Sequence, residues 1–243
     1  MNRIIAVTSG KGGTGKSTFS VNLGIAAAKA DSPVLLIDMD AGMRCLDLLL
    51  GVSESVLMDV SDVANGADIE SSVIPVQNHS GLYLLPAPAK IGLVEPELFG
   101  RLVSAAAEKY SLVLIDFPAG SDYTVYEKLP KNTDFVCVCN PDPVSVRDAA
   151  SIGRELRAMG RKGYLIINKY NYKYVANTSF DNLDDILNET GLQLLGIIPL
   201  SDRFIYSFST GSFSRKGREA NAFKRIAARI NGKSVPLPRL KKI

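Results

Sequence analysis

Four residues at fixed spacing open the chemistry of this chain. Gly10, Gly15, Lys16 and Ser17 satisfy G-x-x-x-x-G-K-[ST] within Gly10-Lys-Gly-Gly-Thr-Gly-Lys-Ser-Thr18. A polyphosphate concentrates negative charge, so the backbone must come close enough for several N–H groups to point at it. Gly10, Gly12, Gly13 and Gly15, with Thr14 among them, permit that approach and the positive φ it requires. Lys16 is expected to reach the β- and γ-phosphates and the Ser17 hydroxyl to coordinate Mg²⁺, with Thr18 within reach of the α-phosphate. Lys11 adds a second cation beside the phosphates, one that such a loop does not need. A chance glycine-rich turn is the plainer alternative. The context disfavours it, because an apolar run (Ile4 to Val7) precedes the loop and helically spaced Phe19, Leu23, Ala26 and Ala27 follow.

Acids stand where the phosphates would need them. The apolar run Val34-Leu-Leu-Ile ends in Asp38-Met39-Asp40, and Leu112-Val-Leu-Ile ends in Asp116. Carboxylates at the C-terminal ends of strands lie where open α/β sheets bind ligands. Asp116 and Asp38 are expected near Mg²⁺, Asp116 through water, while Asp40 positions or activates an attacking water. Two ordinary turn aspartates would be the bland reading of Asp38 and Asp40. Pro118-Ala119-Gly120 could sense the γ-phosphate. Asn168 closes another apolar run, and its amide suits the bidentate pairing with adenine N6 and N7. A guanine-reading N-K-x-D would want Asp at position 171, where this chain has Asn171, so ATP is favoured over GTP.

These residues need a scaffold of strands alternating with helices. The pattern predicts helices over 54–64 and 94–109, strands over Val73–Val76 and Leu82–Leu85 split by a solvated turn at His79, and strands at Phe135–Cys139 and Leu194–Ile198. Asp142 and Pro143 start a helix that runs to about Met159. Phe223, Ile226, Ala227 and Ile230 form one apolar stripe of a closing helix, with Lys224, Arg225 and Arg229 on its other face. The fold class is α/β, a doubly wound and mostly parallel sheet with helices on both faces. All candidate ligands then fall at strand C-terminal ends; strand order stays open.

With 243 residues and 46% apolar composition, the chain suits one domain over 1–231, followed by a basic, proline-containing tail over 232–243. No apolar run approaches the roughly 18 residues of a spanning helix, and the N-terminus enters a strand directly, so a cytoplasmic protein is expected. Three cysteines fit a reducing compartment, and Cys137 and Cys139 alternate with valines as small hydrophobes. The net charge of +3 is uneven: from residue 200 onward the balance is +9, leaving −6 before it. A basic end suits an anionic partner such as membrane or nucleic acid. A solvated helix face is the alternative.

Lys11-Gly-Gly-Thr-Gly-Lys-Ser-Thr18 resembles the deviant Walker A motif of the MinD/ParA family of ATPases. Ile37 to Gly51 and Asn140-Pro through Ser145-Val-Arg-Asp148 resemble the switch I and Asn-Pro segments of its MinD branch, and Pro199 resembles the family's adenine-flanking loop. The likeness runs from residue 1 to about 210. It implies a P-loop NTPase fold, ATP/ADP and Mg²⁺ as cofactors, a monomer with ADP and a homodimer with ATP. Lys11 of each subunit would enter the other's site as a catalytic group beside Lys16 and Asp40. Hydrolysis would be slow and stimulated by regulatory proteins of the MinC or MinE kind, in division-site selection or a related positioning task.

Two departures stand out. MinD-type chains usually end in an amphipathic helix that binds membrane; Pro236 and Pro238 prevent one here, so weak or no direct membrane binding is expected, with any attachment peripheral at the inner face. Cys45 stands where the branch commonly has Asn. A ParA-like partition ATPase, binding DNA non-specifically through the basic C-terminal region, is the alternative, and nucleic acid is a partner only under it. An iron–sulfur carrier would need a C-x-x-C pair, which is absent. A tyrosine kinase, suggested by Tyr170, Tyr172 and Tyr174, would carry a tyrosine-rich tail, also absent.

Overall fold

The apolar run behind the glycine loop becomes the middle of a sheet. In the computed structural model, which describes residues 2–90, 92, 94–175, 183–204 and 216–240, β1 (Arg3–Thr8) is hydrogen-bonded on both sides. Its side chains alternate between two cores, Ile4 and Ala6 facing one, Ile5 and Val7 the other. A strand buried on both faces is why the run is continuously apolar rather than alternating.

The remaining strands are β2 (Val34–Asp38), β3 (Ile74–Pro75), β4 (Leu82–Leu85), β5 (Leu112–Asp116), β6 (Thr133–Cys139), β7 (Gly163–Tyr170) and β8 (Gln193–Pro199). They form one sheet in the order β3-β4-β2-β5-β1-β6-β7-β8, parallel except for β3. The doubly wound, mostly parallel α/β fold is therefore present, with its order now fixed. On one face pack α1 (Lys16–Ala27), α2 (Cys45–Leu50) and the closing helix α10 (Arg218–Ile230). The other face carries α5 (Pro96–Lys109), α6 (Tyr123–Lys128), α7 (Pro143–Ala158) and α9 (Leu183–Thr190). Shorter helices α3 (Val60–Ala64), α4 (Ile69–Ser72) and α8 (Tyr172–Val175) occupy connections.

Several local expectations need correction. Residues 54–64 are not one helix: a 3₁₀ turn at Ser53–Ser55 gives way to extended chain, and α3 starts afresh at Val60. Asp59 ends the continuity by capping α3, accepting from the Ser61 N–H at 2.7 Å while the Asp62 carboxylate accepts from the Asp59 N–H at 2.9 Å. The helix predicted from 94 begins at Pro96 because the residue before a proline avoids helical backbone, and Glu95 is extended at ψ 135°. His79 is buried rather than solvated, and of the three clustered tyrosines Tyr170 is buried in β7. Tyr174's side chain lies outside the described part of the structure, as does Tyr206.

Arg229 departs furthest from the solvated face assigned to it. Its guanidinium donates to Leu195 O at 2.9 Å and to Val235 O at 2.8 and 2.6 Å, tying the segment after α10 to the edge strand β8. Residues 233–239 form no helix, as Pro236 and Pro238 require. Arg161, also buried, donates to the carbonyls of Tyr126, Glu127, Leu129 and Pro130 at 2.7–3.2 Å, satisfying the acceptors that α6 leaves free at its C-terminus.

Candidate nucleotide site

Between β1 and α1 the chain makes the turn that the glycine spacing predicts. Gly13 and Gly15 take left-handed φ values of 77° and 94°, and Gly15 is the N-cap of α1. No side chain caps that helix, so the N–H groups of its first turn and its positive dipole end stay available to an anion. Gly10 is required for a second reason: a Cβ there would overlap the side chain of Asp148, on α7. The loop is thus pressed between β1 and α7.

Lys16 is buried, at 7% exposure, and among the described residues no carboxylate lies within ion-pair distance of it. Thr14 is also buried, and its Oγ1 has no hydrogen-bond partner. A buried hydroxyl left without a partner is costly unless a ligand meets it, and Lys16 brings a cation to the same loop. Together with the uncapped helix they fit a polyphosphate.

The acids converge as predicted. Asp38 and Asp116 are register partners on β2 and β5, which pair in parallel, so both end their strands side by side. Asp116 accepts a hydrogen bond from Ser20 Oγ at 2.8 Å. Burial raises its carboxyl above the usual range, against the pull of the Ser17 hydroxyl, the Lys16 charge and the Ser20 hydroxyl. Asp38 accepts from the Asp40 N–H at 2.9 Å and the Leu46 N–H at 3.2 Å. Burial first, and then the neighbouring Asp116, push it up to about 7. Two carboxylates in a dry pocket call for a cation.

Among the described residues no three His, Cys, Asp or Glu side chains cluster as a protein-only metal site. Mg²⁺ does not need one: it takes one or two carboxylates with substrate phosphates and water. Asp38, Asp116 and the Ser17 hydroxyl fit that demand. Asp40 is half-buried, and its carboxylate accepts from the Met43 N–H at 3.2 Å at the start of the following turn.

Lys11 pairs with Asp142 at 3.5 Å within the same chain, where Asp142 also caps α7 by accepting from the Ser145 N–H at 2.9 Å. Asn168 is buried and spends its amide nitrogen on Thr14 O at 2.7 Å. Pro199 ends β8, directly before a cavity of about 570 Å³ whose lining includes Asn171, Leu200, Ser201, Asp202, Arg203 and Glu219. Cys137 and Cys139 are buried in the core as hydrophobes, and burial pushes both thiols up.

The structure adds residues that pattern reading missed. Ser20 follows Ser17 by one helical turn, a spacing that could have revealed it. Thr8 at the end of β1 shares a 2.8 Å hydrogen bond with the Tyr126 hydroxyl, joining the strand to α6 beneath the loop. Lys169 Nζ donates to Gly13 O at 2.7 Å.

Comparison with known proteins agrees with this geometry. Residues 5–213 match the family model described as the CobQ/CobB/MinD/ParA nucleotide binding domain. The septum site-determining protein MinD of Synechocystis sp. is 33% identical over 97% of this chain and 92% of its own length. In the MinC:MinD cell division protein complex of Aquifex aeolicus, a chain superposes with a TM-score of 0.87 at 30% identity, covering 98% of both chains. MinD of Pyrococcus horikoshii, solved with Mg-ADP, gives a TM-score of 0.82 at 27% identity, covering 95% of this chain and 96% of its own. This chain therefore belongs to the CobQ/CobB/MinD/ParA family of nucleotide-binding proteins, with the septum site-determining MinD proteins among its relatives.

Proposed function

We propose that this protein is a Mg²⁺-dependent ATPase of MinD type that closes into a two-fold homodimer around ATP and opens with ADP. The observation that carries the reading is Lys16, buried with no carboxylate in ion-pair distance among the described residues, beside an uncapped helix N-terminus and the register-paired Asp38 and Asp116. ATP would supply the scissile phosphoanhydride, and Mg²⁺ held by Asp38, Asp116 and Ser17 would neutralise charge on the departing ADP. Lys16 and the loop N–H groups hold the β- and γ-phosphate oxygens. Asp116, steadied by Ser20, and Asp38 stay ionised once a cation offsets their burial. Asp40, on the half-buried turn, orients the water that attacks the γ-phosphorus, giving ADP and inorganic phosphate.

Asn168, joined to the loop through Thr14 O, and the cavity beside Pro199 are the proposed adenine end of the site. Lys11 is held by a half-exposed ion pair, a weak contact that an incoming partner's phosphates can replace. In that closed dimer Lys11 reaches the other subunit's nucleotide. The Aquifex aeolicus complex supports a MinC-like regulatory partner, and the cellular role is division-site selection or related positioning. Residues 233–239 form no helix, so any lipid contact made by this segment is weak and peripheral. The DNA-binding alternative loses a cation, because Arg229 is committed to backbone carbonyls.

The test is light scattering after size separation, with ATP or ADP, alongside phosphate release. Wild-type protein should double in mass only with ATP, and Lys11→Ala should bind ATP yet stay monomeric. A wild-type chain that remains monomeric with ATP would remove the dimer switch. DNA retention at low salt with ATP would favour the partition reading.

A further inference from the structure

Two consecutive residues of β7 reach two consecutive carbonyls of the phosphate loop. Asn168 Nδ2 donates to Thr14 O and Lys169 Nζ to Gly13 O, each at 2.7 Å. In a regular strand neighbouring side chains point to opposite faces, so 168 and 169 should not serve the same loop. Here the strand is bent to make them do so. Lys169 has a left-handed φ of 53°, and the pairing of β7 with β8 shifts register between Ile167 and Tyr170. A lysine in that region carries backbone strain that glycine would not, and such strain is kept where surrounding structure demands it. Lys169 is exposed, and among the described residues no carboxylate lies within ion-pair distance to compete with the Gly13 carbonyl for its ammonium.

We infer that Lys169 is a positioning residue for nucleotide binding, acting through the Gly13 carbonyl. A loop that presents its N–H groups to a phosphate must turn its carbonyls the other way. Gly13 has two soft dihedrals and no side chain to hold that orientation. A charge-assisted hydrogen bond from Lys169 holds it from outside, while Asn168 does the same for Thr14. The clasp pre-orders the cradle before the ligand arrives, which lowers the ordering cost of binding. Because both donors sit at the end of one strand, the end of the site facing the base is mechanically joined to the phosphate end. This inference rests on the nucleotide reading of the same loop.

Titration calorimetry on the intact protein with Mg-ATP, and separately with inorganic tripolyphosphate, tests it. Lys169→Gly removes the side chain with its amine and relieves the left-handed strain, which offsets glycine's entropy cost, so its melting temperature should stay close to that of wild type. Its affinity for both probes should fall by the same factor, about tenfold, the worth of one charge-assisted hydrogen bond. Lys169→Arg, which retains a donor, should recover most of the loss. Lys169→Met gives a second donor-free variant with a side chain of similar length. Amide exchange of residues 13–16 in the nucleotide-free protein should quicken in the Gly and Met variants, a change that a remote field would not produce. Wild-type affinity in both donor-free variants, unchanged amide exchange, or weakening of ATP alone would each overturn the clasp. A wild-type chain that takes up neither probe would instead refute the nucleotide reading.

Discussion

Asp38 and Asp116 face each other as register partners on adjacent parallel strands, each the last residue of its run. Their proximity, added to burial, makes the folded protein hold the Asp38 proton more tightly than the unfolded chain does: about 7 against an ordinary 3.8. The stability from this group is complete below about pH 4 and is lost as pH rises through about 7. Without nucleotide and metal, the melting temperature should therefore fall by several degrees between pH 5 and pH 8. Asp38→Asn should flatten that fall. Saturating Mg-ATP should flatten it in wild type, because the cation stabilises the ionised pair. Calorimetric scans across pH decide the matter; equal slopes for wild type and variant would refute the assignment.

Lys16→Ala should separate folding from binding. No acid lies in ion-pair reach of the ammonium among the described residues, although its charge acts on Asp116 from further off, so the ligand-free melting temperature should change little. Affinity for Mg-ATP should drop at least ~100-fold, since that is about 2.7 kcal/mol, the scale of a charge-assisted contact to phosphate. Fluorescent-nucleotide titration beside thermal melting reads both. Retained affinity would strike Lys16 from the site.

Arg161→Ala should destabilise the protein by about 2–4 kcal/mol, because four carbonyls lose a donor in a place water reaches poorly. Lysine has one compact head and cannot span the same set, so Arg161→Lys should recover little. Urea titration measures it; a loss under about 0.5 kcal/mol would be that of an ordinary surface residue and would sink the assignment.

Arg229→Ala should release the chain after α10. The expected loss in global stability is modest, about 1 kcal/mol, since the guanidinium is only partly buried. Trypsin should cut at Lys233 much faster than in wild type, seen by mass spectrometry on timed digests. Unaltered cleavage would mean that other contacts hold the segment.

The sequence carried the phosphate loop legibly because its demands on residue type are local and strict: Gly10 cannot bear a Cβ beside Asp148, and Gly15 needs a left-handed φ. Asp38 and Asp116 were readable as the ends of two apolar runs, although nothing local announced that they are partners. The clasp was hidden. Strand alternation sends Lys169 away from Asn168, and only the backbone irregularity returns it to the loop. Arg161 and Arg229 were hidden differently, since a cation committed to carbonyls looks in sequence like any solvated charge. The break before α3 had a signal, Asp59 and Asp62 three apart, but with Asp in the place where Glu or Gln usually marks such a start.

The two rims of the sheet have a shared consequence. Pro75 on β3 lacks an N–H to offer a further strand, and on β8 the Leu195 carbonyl is already taken by Arg229, with Pro236 and Pro238 following close behind. Lengthening the sheet from either side is thereby discouraged. The proposed homodimer would instead form end-on, over the strand tips where Lys11 sits, and a partnership made there would dissolve whenever what lies between the two copies is spent.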